Sequence, residues 1–467
     1  MDLTDRRVLV VGLGRSGTAA ARLCAARGAR VTVTDSRPAA ELGAALAALP
    51  AGVAQALGGH PQALFTGAEL IVLSPGVPDI PALAAARRAG VAVTGELELA
   101  SRFIEASLVG ITGTNGKSTT TTLCGAILAS TSAPTFVGGN LGQPLAEAVG
   151  TPAGGLGGHC VVEASSFQLE TVETFRPRVA VLLNITDDHL DRYDSIDSYA
   201  AAKARIFRAQ RAGDYAVVNA DDQRALRVSE GVAARRLTFS VDGVPAGAVS
   251  GPGGWVAGDA LCIRLPGGEE ERYPGLLPAL LGKHNQANAL AALLAGRLAG
   301  ASPAQALRGL TAFRALAHRM ELVAEVGGVA YFDDSKGTNV GAVVAALAGF
   351  PRRVVLIAGG RDKGGDYAPL ATALAAVGRG AVLIGEAAER IAASLSASLP
   401  PSSSLRIERA ASMEEAVAAA VRLARPGDAV VLSPACSSFD MFRDYAHRAE
   451  VFRAAVQAVV GGATGGP

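Results

Sequence analysis

The chain has 467 residues, enough for three domains at about 150 residues each. Its 43 basic and 42 acidic residues leave a net charge of +1, which argues against a protein that coats polyanions; a 49% hydrophobic, 18% charged composition excludes intrinsic disorder. No run of about 18 apolar residues is free of charges and turn formers. The start, Met1 to Arg7, lacks signal-peptide organisation, and the five cysteines (Cys24, Cys124, Cys160, Cys262, Cys436) form no CxxC pair. A soluble protein of a reducing compartment, the cytoplasm, is therefore expected.

The first stretch reads as strand, glycine turn, helix, strand. Val8 to Val11 is followed by Gly12-Leu13-Gly14-Arg15-Ser16-Gly17 and an Ala-rich helix to about Arg27. Val31 to Thr34 forms the next strand and ends in Asp35; Leu70 to Leu73 forms another and ends in Ser74-Pro75-Gly76. This alternation predicts parallel βαβ units. The glycine spacing and Asp35 match a dinucleotide fingerprint, in which backbone N–H groups approach a pyrophosphate and an acid accepts from a ribose. NAD, another nucleotide on a related fold, and a tight βα turn all fit that pattern.

A second unit opens with a strand at Leu108 to Ile111. Gly113-Thr114-Asn115-Gly116-Lys117-Ser118 follows, and Thr119 to Thr122 begin a helix. Such a loop cradles phosphates on its N–H groups at a helix start. Lys117 would neutralise β- and γ-oxygens and the Ser118 hydroxyl would ligate Mg²⁺. The strict Walker spacing is missed, with Ile111 where a glycine belongs. Val161 to Glu163 and Val179 to Leu183 are further strands. Glu163 is either a solvated cap or a Mg²⁺ ligand beside the loop. The polar run Asn184 to Arg192 includes His189, which suits a metal ligand and a helix cap equally. Tyr215 to Asn219 adds a strand. Lys203 reads, by pattern, as an exposed helix lysine. Asn285 and Asn288 stand three apart at a helix start and fit either capping or reading a base edge. Residues 151–158 and 244–254 read as surface loops.

A third unit follows His318-Arg319. Val329 to Phe332, Val354 to Ile357, Ala381 to Ile384 and Ala429 to Leu432 read as strands, 399–404 as a loop, and 461–467 as a frayed tail. Three polar clusters, 333–339, 359–364 and 433–440, each follow a strand, which suits either a small anionic substrate or solvated loops. Cys436 with His447 lacks an orienting third group and does not read as a nucleophile. The chain contains 38 arginines but five lysines: Lys117, Lys203, Lys283, Lys336 and Lys363. Arg and Lys are not interchangeable where a compact or reactive amine is needed, so these lysines mark candidate sites, Lys283 least of all.

In combination these motifs resemble the Mur ligases of peptidoglycan synthesis over nearly the whole chain. The phosphate loop Gly113 to Ser118 follows the pattern of that superfamily, which folylpolyglutamate synthases share. Glu163 to Glu170, Asn184 to Tyr193, Asp334 to Asn339 and Ser433 to Phe442 resemble the D-glutamate-adding branch. The resemblance implies three consecutive α/β domains: a Rossmann-like UDP-substrate-binding domain (1–104), a central ATP-binding domain with a mostly parallel sheet (105–316), and a Rossmann-like C-terminal domain (317–467) that binds the incoming amino acid and closes on ATP.

It implies ATP-dependent amide formation through an acyl phosphate, with UDP-N-acetylmuramoyl-L-alanine and D-glutamate as substrates and Mg²⁺ at two sites. Gly113, Thr114, Asn115, Gly116, Lys117, Ser118, Thr119, Asn285, Asn288, Arg319 and Asp334 then form the ATP set. Gly14, Arg15, Ser16, Asp35, Ser36, Arg37, Ser74, Gly76 and Asn140 form the UDP-substrate set, with UDP in place of NAD. Lys336, Thr338, Lys363, Ser438 and Tyr445 form the D-glutamate pocket. Ser118, Glu163, His189 and a carbamylated Lys203 would hold metal, and Lys117, His189 and Lys203 carry the catalytic roles. Gly337, Tyr445 and Ala449 depart from the Ala, Phe and Gly usual in the family. A monomer without nucleic-acid partners is expected. The competing readings are an NAD-dependent oxidoreductase, a nucleotide-dependent switch without ligase activity, and a ligase for another amino acid or acceptor.

Overall fold

The structure, a computed structural model, describes residues 1–189, 192–248, 251–275, 282–314, 316–348, 350–400 and 403–463. It contains three sheets. The first has the strands β1 (Arg7–Val11), β2 (Arg30–Asp35), β3 (Ala54–Leu57), β4 (Leu70–Leu73) and β5 (Ala92–Gly95) in the order β3-β2-β1-β4-β5, all parallel. The order reverses between β1 and β4, so a crevice opens beyond their carboxyl ends, where Gly12 to Gly17 and Ser74 lie. Ser74 Oγ donates to the Gly12 carbonyl at 2.7 Å. A Cβ on Gly17 would stand 1.8 Å from that same oxygen, so only glycine lets the helix Arg15–Ala26 start this close to the strand.

The second sheet has nine strands: β6 (Ser107–Thr112), β7 (Thr135–Gly139), β8 (His159–Glu163), β9 (Val179–Leu182), β10 (Tyr215–Asn219), β11 (Arg235–Ser240), β12 (Gly253–Ala257), β13 (Ala260–Arg264) and β14 (Glu270–Pro274). Their order is β14-β13-β12-β11-β10-β9-β6-β8-β7. The strands from β7 to β12 pair in parallel, and β12, β13 and β14 form an antiparallel flange. β6, β8 and β9 are adjacent, so the segments after Thr112, Glu163 and Leu182 emerge at one edge of the sheet.

The third sheet comprises β15 (Glu321–Val326), β16 (Val329–Asp333), β17 (Val354–Gly359), β18 (Gly378–Ile384), β19 (Arg406–Arg409) and β20 (Ala429–Leu432), ordered β15-β16-β20-β17-β18-β19. All but the β15–β16 pair are parallel. The period of two in β17 divides its side chains between two cores. Val354, Leu356 and Ala358 pack with Leu370, Leu374 and Ile391 on one face; Val355 and Ile357 pack with Val417, Ala420, Phe452 and Val456 on the other. A strand covered by helices on both faces reads as a continuous apolar run, which is why β17 and β20 are legible in the sequence.

Sequence reading passes over nine of the described strands. β3, β5, β7 and β15 have few fully buried positions, β14 and β19 are largely charged, β11 opens on two exposed arginines, and β12 begins at Gly253 inside the expected 244–254 loop. β13 is missed although Leu261, Cys262 and Ile263 are buried in it. The tail also differs: the helix Tyr445–Ala463 continues through 461–463 rather than fraying, while 464–467, like 401–402 of the expected 399–404 loop, lie outside the described residues. Local chemistry sets other ends. The helix Pro303–Ala312 starts at a Ser302 capping box with proline in its first turn.

Packing gathers the chain into two compact units. One comprises residues 1–185, 199–277 and 286–313 and contains the first two sheets; the other comprises 186–198, 278–285 and 314–467 and contains the third. Within the first unit the short helix Glu96–Ser101 follows β5 directly, and its Glu96 side chain is fully buried. Glu96 Oε1 accepts from the Ala146 N–H at 2.7 Å, but Oε2 has no hydrogen-bond partner. Burial pushes this carboxyl up to about 7, against the Ala146 hydrogen bond and with help from nearby Glu147.

The folded state therefore holds a proton that the unfolded chain releases near pH 4.5. The resulting stability is complete below pH 4.5 and is lost as pH rises to about 7. Glu96→Gln should remove this loss: compared with the wild type across pH 4.5 to 7.5 in urea titrations, its relative stability should rise by about 3 kcal/mol. Parallel curves for the two proteins would contradict it.

Candidate active site

In the first unit, β6 runs out at Thr112 into the loop Gly113 to Gly116, and the helix Lys117–Ala129 begins at once. Gly116 adopts φ +84°, and a Cβ there would lie 2.1 Å from Asn288 Oδ1. Asn288 is 5% exposed and its Oδ1 also accepts from Thr120 Oγ1 at 3.3 Å. Asn184, beyond β9, fixes the other side of the loop. Its carbonyl accepts from Thr114 N–H at 2.9 Å, its Oδ1 from Asn115 N–H at 2.8 Å, and its Nδ2 donates to the Asn115 carbonyl at 3.1 Å. Lys117 Nζ folds back onto the Gly113 and Thr114 carbonyls at 3.0 and 2.7 Å. Ser118 and Thr119 are buried in the first turn of the helix.

Lys203 overturns its pattern reading. Instead of standing exposed on a helix, it is 1% exposed: the helix Ile196–Ala204 turns Tyr199, Ala200, Ala202 and Lys203 inward. Its Nζ donates to the Gly113 carbonyl at 2.8 Å and lies 4.4 Å from the centre of the Tyr199 ring. Carbonyl and ring replace part of the hydration that the ammonium loses. Tyr199 in turn accepts from Thr114 Oγ1 at 3.3 Å. Lys117, Lys203 and the loop thus share one carbonyl oxygen.

Glu163, at the end of β8, is 2% exposed. Its Oε1 accepts from Asn140 Nδ2 at 2.7 Å, whereas Oε2 is buried without a hydrogen-bond partner. Asn140 also lines a cleft of about 180 Å³ together with Gly14, Arg15, Ser16 and Ser74. These are five of the nine residues expected to meet the UDP-substrate. Arg15 Nη1 donates to the Gly142 carbonyl at the same place. Ser36 and Gly76 are exposed outside this lining.

Asp35, at the end of β2, is buried and engaged by its neighbours. Its Oδ2 accepts from Leu13 N–H at 2.7 Å and Arg37 Nη2 at 2.8 Å, and its Oδ1 from Arg37 N–H and Nε. The Arg37 guanidinium, then the backbone N–H groups, hold this carboxyl well below the usual range despite its burial. One of these contacts, from Leu13 N–H, holds the glycine loop, and the other three hold Arg37.

The second unit brings the other expected residues around the ends of β16, β17 and β20. Asp334 follows β16, buried, and accepts from Ser433 Oγ at 2.5 Å; burial raises its carboxyl to about 6. Arg319 lowers it in part, and also depresses the half-buried His284, whose shift comes mainly from desolvation. Lys336 Nζ stands 5.3 Å from the centre of the Tyr445 ring, and Lys363 Nζ pairs with Asp188 Oδ1 at 3.3 Å. Asn339 Nδ2 holds the other Asp188 oxygen at 3.2 Å. Ser438 is buried beyond β20, and Thr338 is half-buried in the loop after β16. Asn285 stands in the first turn of the helix Lys283–Leu298, its N–H donating to the Gly282 carbonyl at 3.0 Å.

His189 sits in this unit at φ +56°, its N–H donating to Asp188 Oδ1. The next helix is preceded by Ser195, whose Oγ accepts from Ser198 N–H, so His189 is not its cap. Leu190 and Asp191 of this polar run lie outside the described residues.

Sequence reading missed Arg448. It is fully buried, with Nε on Ser335 Oγ (3.0 Å), Nη2 on the Ser335 carbonyl (2.8 Å) and Nη1 on the Cys436 carbonyl (3.2 Å). It ties the loops after β16 and β20 together, and desolvation lowers its guanidinium to about 10. A lone arginine on a helix carries no signal of this in sequence. Nor do His318 Nδ1 and Asp333 Oδ2, paired at 2.7 Å. His318, Glu321 and Asp333 have the spacing of a cation site, but Arg453 already pairs with Glu321 at 2.6 Å and Asp333 at 3.2 Å.

Three family models match this chain: the Mur ligase MurD-like N-terminal domain over residues 6–95, the Mur ligase middle domain over 111–296, and the Mur ligase glutamate ligase domain over 318–436. A UDP-N-acetylmuramoylalanine--D-glutamate ligase of Geotalea daltonii is 48% identical over 99% of both chains. A protein of the same name from Anaeromyxobacter dehalogenans is 51% identical over 97% of both. The chain belongs to the Mur ligase family.

A pseudomurein peptide ligase type C from Methanothermus fervidus shares the fold, with a TM-score of 0.61 at 19% identity, over 97% of this chain and 100% of that one. The N-terminal match assigns the Gly12 to Gly17 fingerprint to a Mur ligase domain and not to an oxidoreductase. Among the described residues, no helix of this Mur ligase is long and apolar enough to cross a membrane.

The Gly116 position generates a direct test. Gly116→Ala combines a left-handed backbone with a Cβ at 2.1 Å from Asn288 Oδ1. It should weaken ADP binding by about tenfold or more in calorimetric titrations and lower unfolding stability by about 1–2 kcal/mol. Unchanged nucleotide affinity would separate the loop geometry from nucleotide binding.

Proposed function

We propose that this chain joins D-glutamate to the L-alanyl carboxylate of UDP-N-acetylmuramoyl-L-alanine, using ATP and releasing ADP and phosphate, in peptidoglycan precursor synthesis. The observation that carries this reading is the near-full-length likeness to ligases of that name at 46–51% identity. The phosphate loop agrees with it: the N–H groups at the start of the helix Lys117–Ala129 and the Lys117 ammonium suit triphosphate oxygens.

A carboxylate has no good leaving group, and phosphorylation supplies one. An L-alanyl carboxylate oxygen attacks the γ-phosphorus and ADP departs, leaving an acyl phosphate. The amine of D-glutamate attacks the acyl carbon, the tetrahedral adduct loses phosphate with its C–O bond, and the nitrogen gives up a proton. Catalysis rests on positioning and on neutralising phosphoryl charge. In this reading Lys117 leaves the Gly113 and Thr114 carbonyls for β- and γ-oxygens, with the remaining loop residues, Asn285, Asn288, Arg319 and Asp334 completing the ATP set.

The cleft at Gly14, Arg15, Ser16, Ser74 and Asn140 takes the UDP-substrate, with Asp35, Ser36, Arg37 and Gly76 as further uridine and diphosphate contacts. Lys336, Thr338, Lys363, Ser438 and Tyr445 receive D-glutamate, the two ammonium groups answering its two carboxylates.

Mg²⁺ fits the donors present. Glu163 offers a buried oxygen with no hydrogen-bond partner, and Ser118 a hydroxyl at the helix start. When bound, the ion would offset charge on the phosphate oxygens. Carbamylation of Lys203 would turn a donor into a carboxylate beside the loop, and His189 offers an imidazole for a second ion.

Phosphate release from ATP should require both UDP-N-acetylmuramoyl-L-alanine and D-glutamate when a panel of amino acids is assayed. Lys117→Ala should lower kcat by about 10²–10³. Release supported by another amino acid would keep the chemistry and overturn the assignment of the third-sheet pocket. Release independent of the UDP-substrate would overturn the ligase reading.

A further inference from the structure

We propose that Asn140 is a positioning residue for the Glu163 carboxylate, setting which oxygen faces the metal, in addition to lining the substrate cleft. The inference rests on the reading of Glu163 as a metal ligand.

Two contacts join the pair. Asn140 N–H donates to the Glu163 carbonyl at 2.8 Å, and Asn140 Nδ2 donates to Glu163 Oε1 at 2.7 Å. A carboxylate only accepts, so the Asn140 amide must present its NH₂ group to Glu163. That leaves the amide oxygen for the cleft that Asn140 lines. The approach is built into the backbone. Gly139 has φ +98°, and a Cβ there would stand 2.4 Å from the Glu163 carbonyl; Gly139 N–H is anchored on the Gln143 carbonyl at 2.7 Å. The chain leaving β7 is thereby pressed against the end of β8.

The consequence falls on the other carboxylate oxygen. With Oε1 held, Glu163 is fixed in rotation, and Oε2 remains buried without a hydrogen-bond partner. Carboxylates that ligate metals are commonly oriented by such outer hydrogen bonds, whose loss typically weakens metal binding by about 10–100-fold. Asn140 also has one functional atom on each side: donor toward Glu163, acceptor toward the cleft. A UDP-substrate engaging the amide oxygen would polarise the same group that holds the carboxylate.

The test uses the full chain with ADP and Mn²⁺, the free ion being read by its electron paramagnetic resonance signal. Asn140→Ala should raise the Mn²⁺ dissociation constant by about tenfold or more. Its turnover should recover as Mg²⁺ is raised, a KM effect that general loosening of the fold would not produce. If this variant does not fold, Asn140→Ser, whose side chain is too short for the contact, carries the same test. Mn²⁺ affinity within about twofold of the wild type, with weaker UDP-substrate binding, would make Asn140 a substrate contact only and overturn the proposal. Glu163→Gln separates the two readings. Weak Mn²⁺ binding in this variant but normal binding in Asn140→Ala sinks the positioning role alone. Normal binding in Glu163→Gln sinks the metal reading with it.

Discussion

An ammonium group taken out of water has to be given back its ligands, and the nucleotide side of this molecule is arranged around that requirement at Lys203. The Gly113 carbonyl and the Tyr199 ring meet part of it. The same carbonyl accepts from Lys117, so the phosphate loop cannot shift without disturbing two cations. Asn184 holds the loop from β9, Asn288 crowds Gly116 from the helix Lys283–Leu298, and Tyr199 reaches Thr114. Segments far apart in sequence converge on four loop residues because β6 lies between β8 and β9 in a parallel sheet, which places their carboxyl ends side by side.

The third sheet solves a similar problem with a guanidinium. Arg448 gives its donors to Ser335 and Cys436, so two loops that would otherwise hang separately from β16 and β20 move as one. The family departures sit against this frame. A Cβ on Gly337 would meet Asp334 Oδ2 at 2.5 Å and Ser433 Oγ at 2.8 Å, so glycine here lets the Asp334–Ser433 pair close up. The Tyr445 ring lies under the Lys336 ammonium and makes a T-shaped contact with His318.

What the sequence could reveal follows from where each interaction is encoded. Strands buried on both faces, such as β6, β17 and β20, are apolar runs, and the polar residues that end them advertise a site because parallel sheets bind ligands there. Lys117 and Glu163 stand out in the sequence for that reason. Lys203 does not: periodicity placed it on a solvated helix face, and only the packing of the helix Ile196–Ala204 shows it turned inward. Asp35 was legible as an acid at a strand end, but not that Leu13 and Arg37 consume its oxygens. The contact between Asn140 and Glu163 depends on β7, a glycine-rich edge strand with little hydrophobic signal, so neither the strand nor the contact could be read. Arg448 and the Asp188 bridge to Asn339 and Lys363 depend on long-range pairing alone.

The antiparallel flange on the second sheet has a bearing beyond the site. A strand at the margin of a sheet exposes unpaired peptide groups to which another chain can add. β14 occupies such a margin with Glu270, Glu271, Arg272 and a terminal Pro274, and β19 occupies another with Arg406, Glu408 and Arg409. A proline offers no N–H, and a docking strand would have to strip water from charges at nearly every step. These two margins are therefore poor templates for fibril growth, a safeguard for a chain rich in apolar parallel strands, whose long-range pairing is slow.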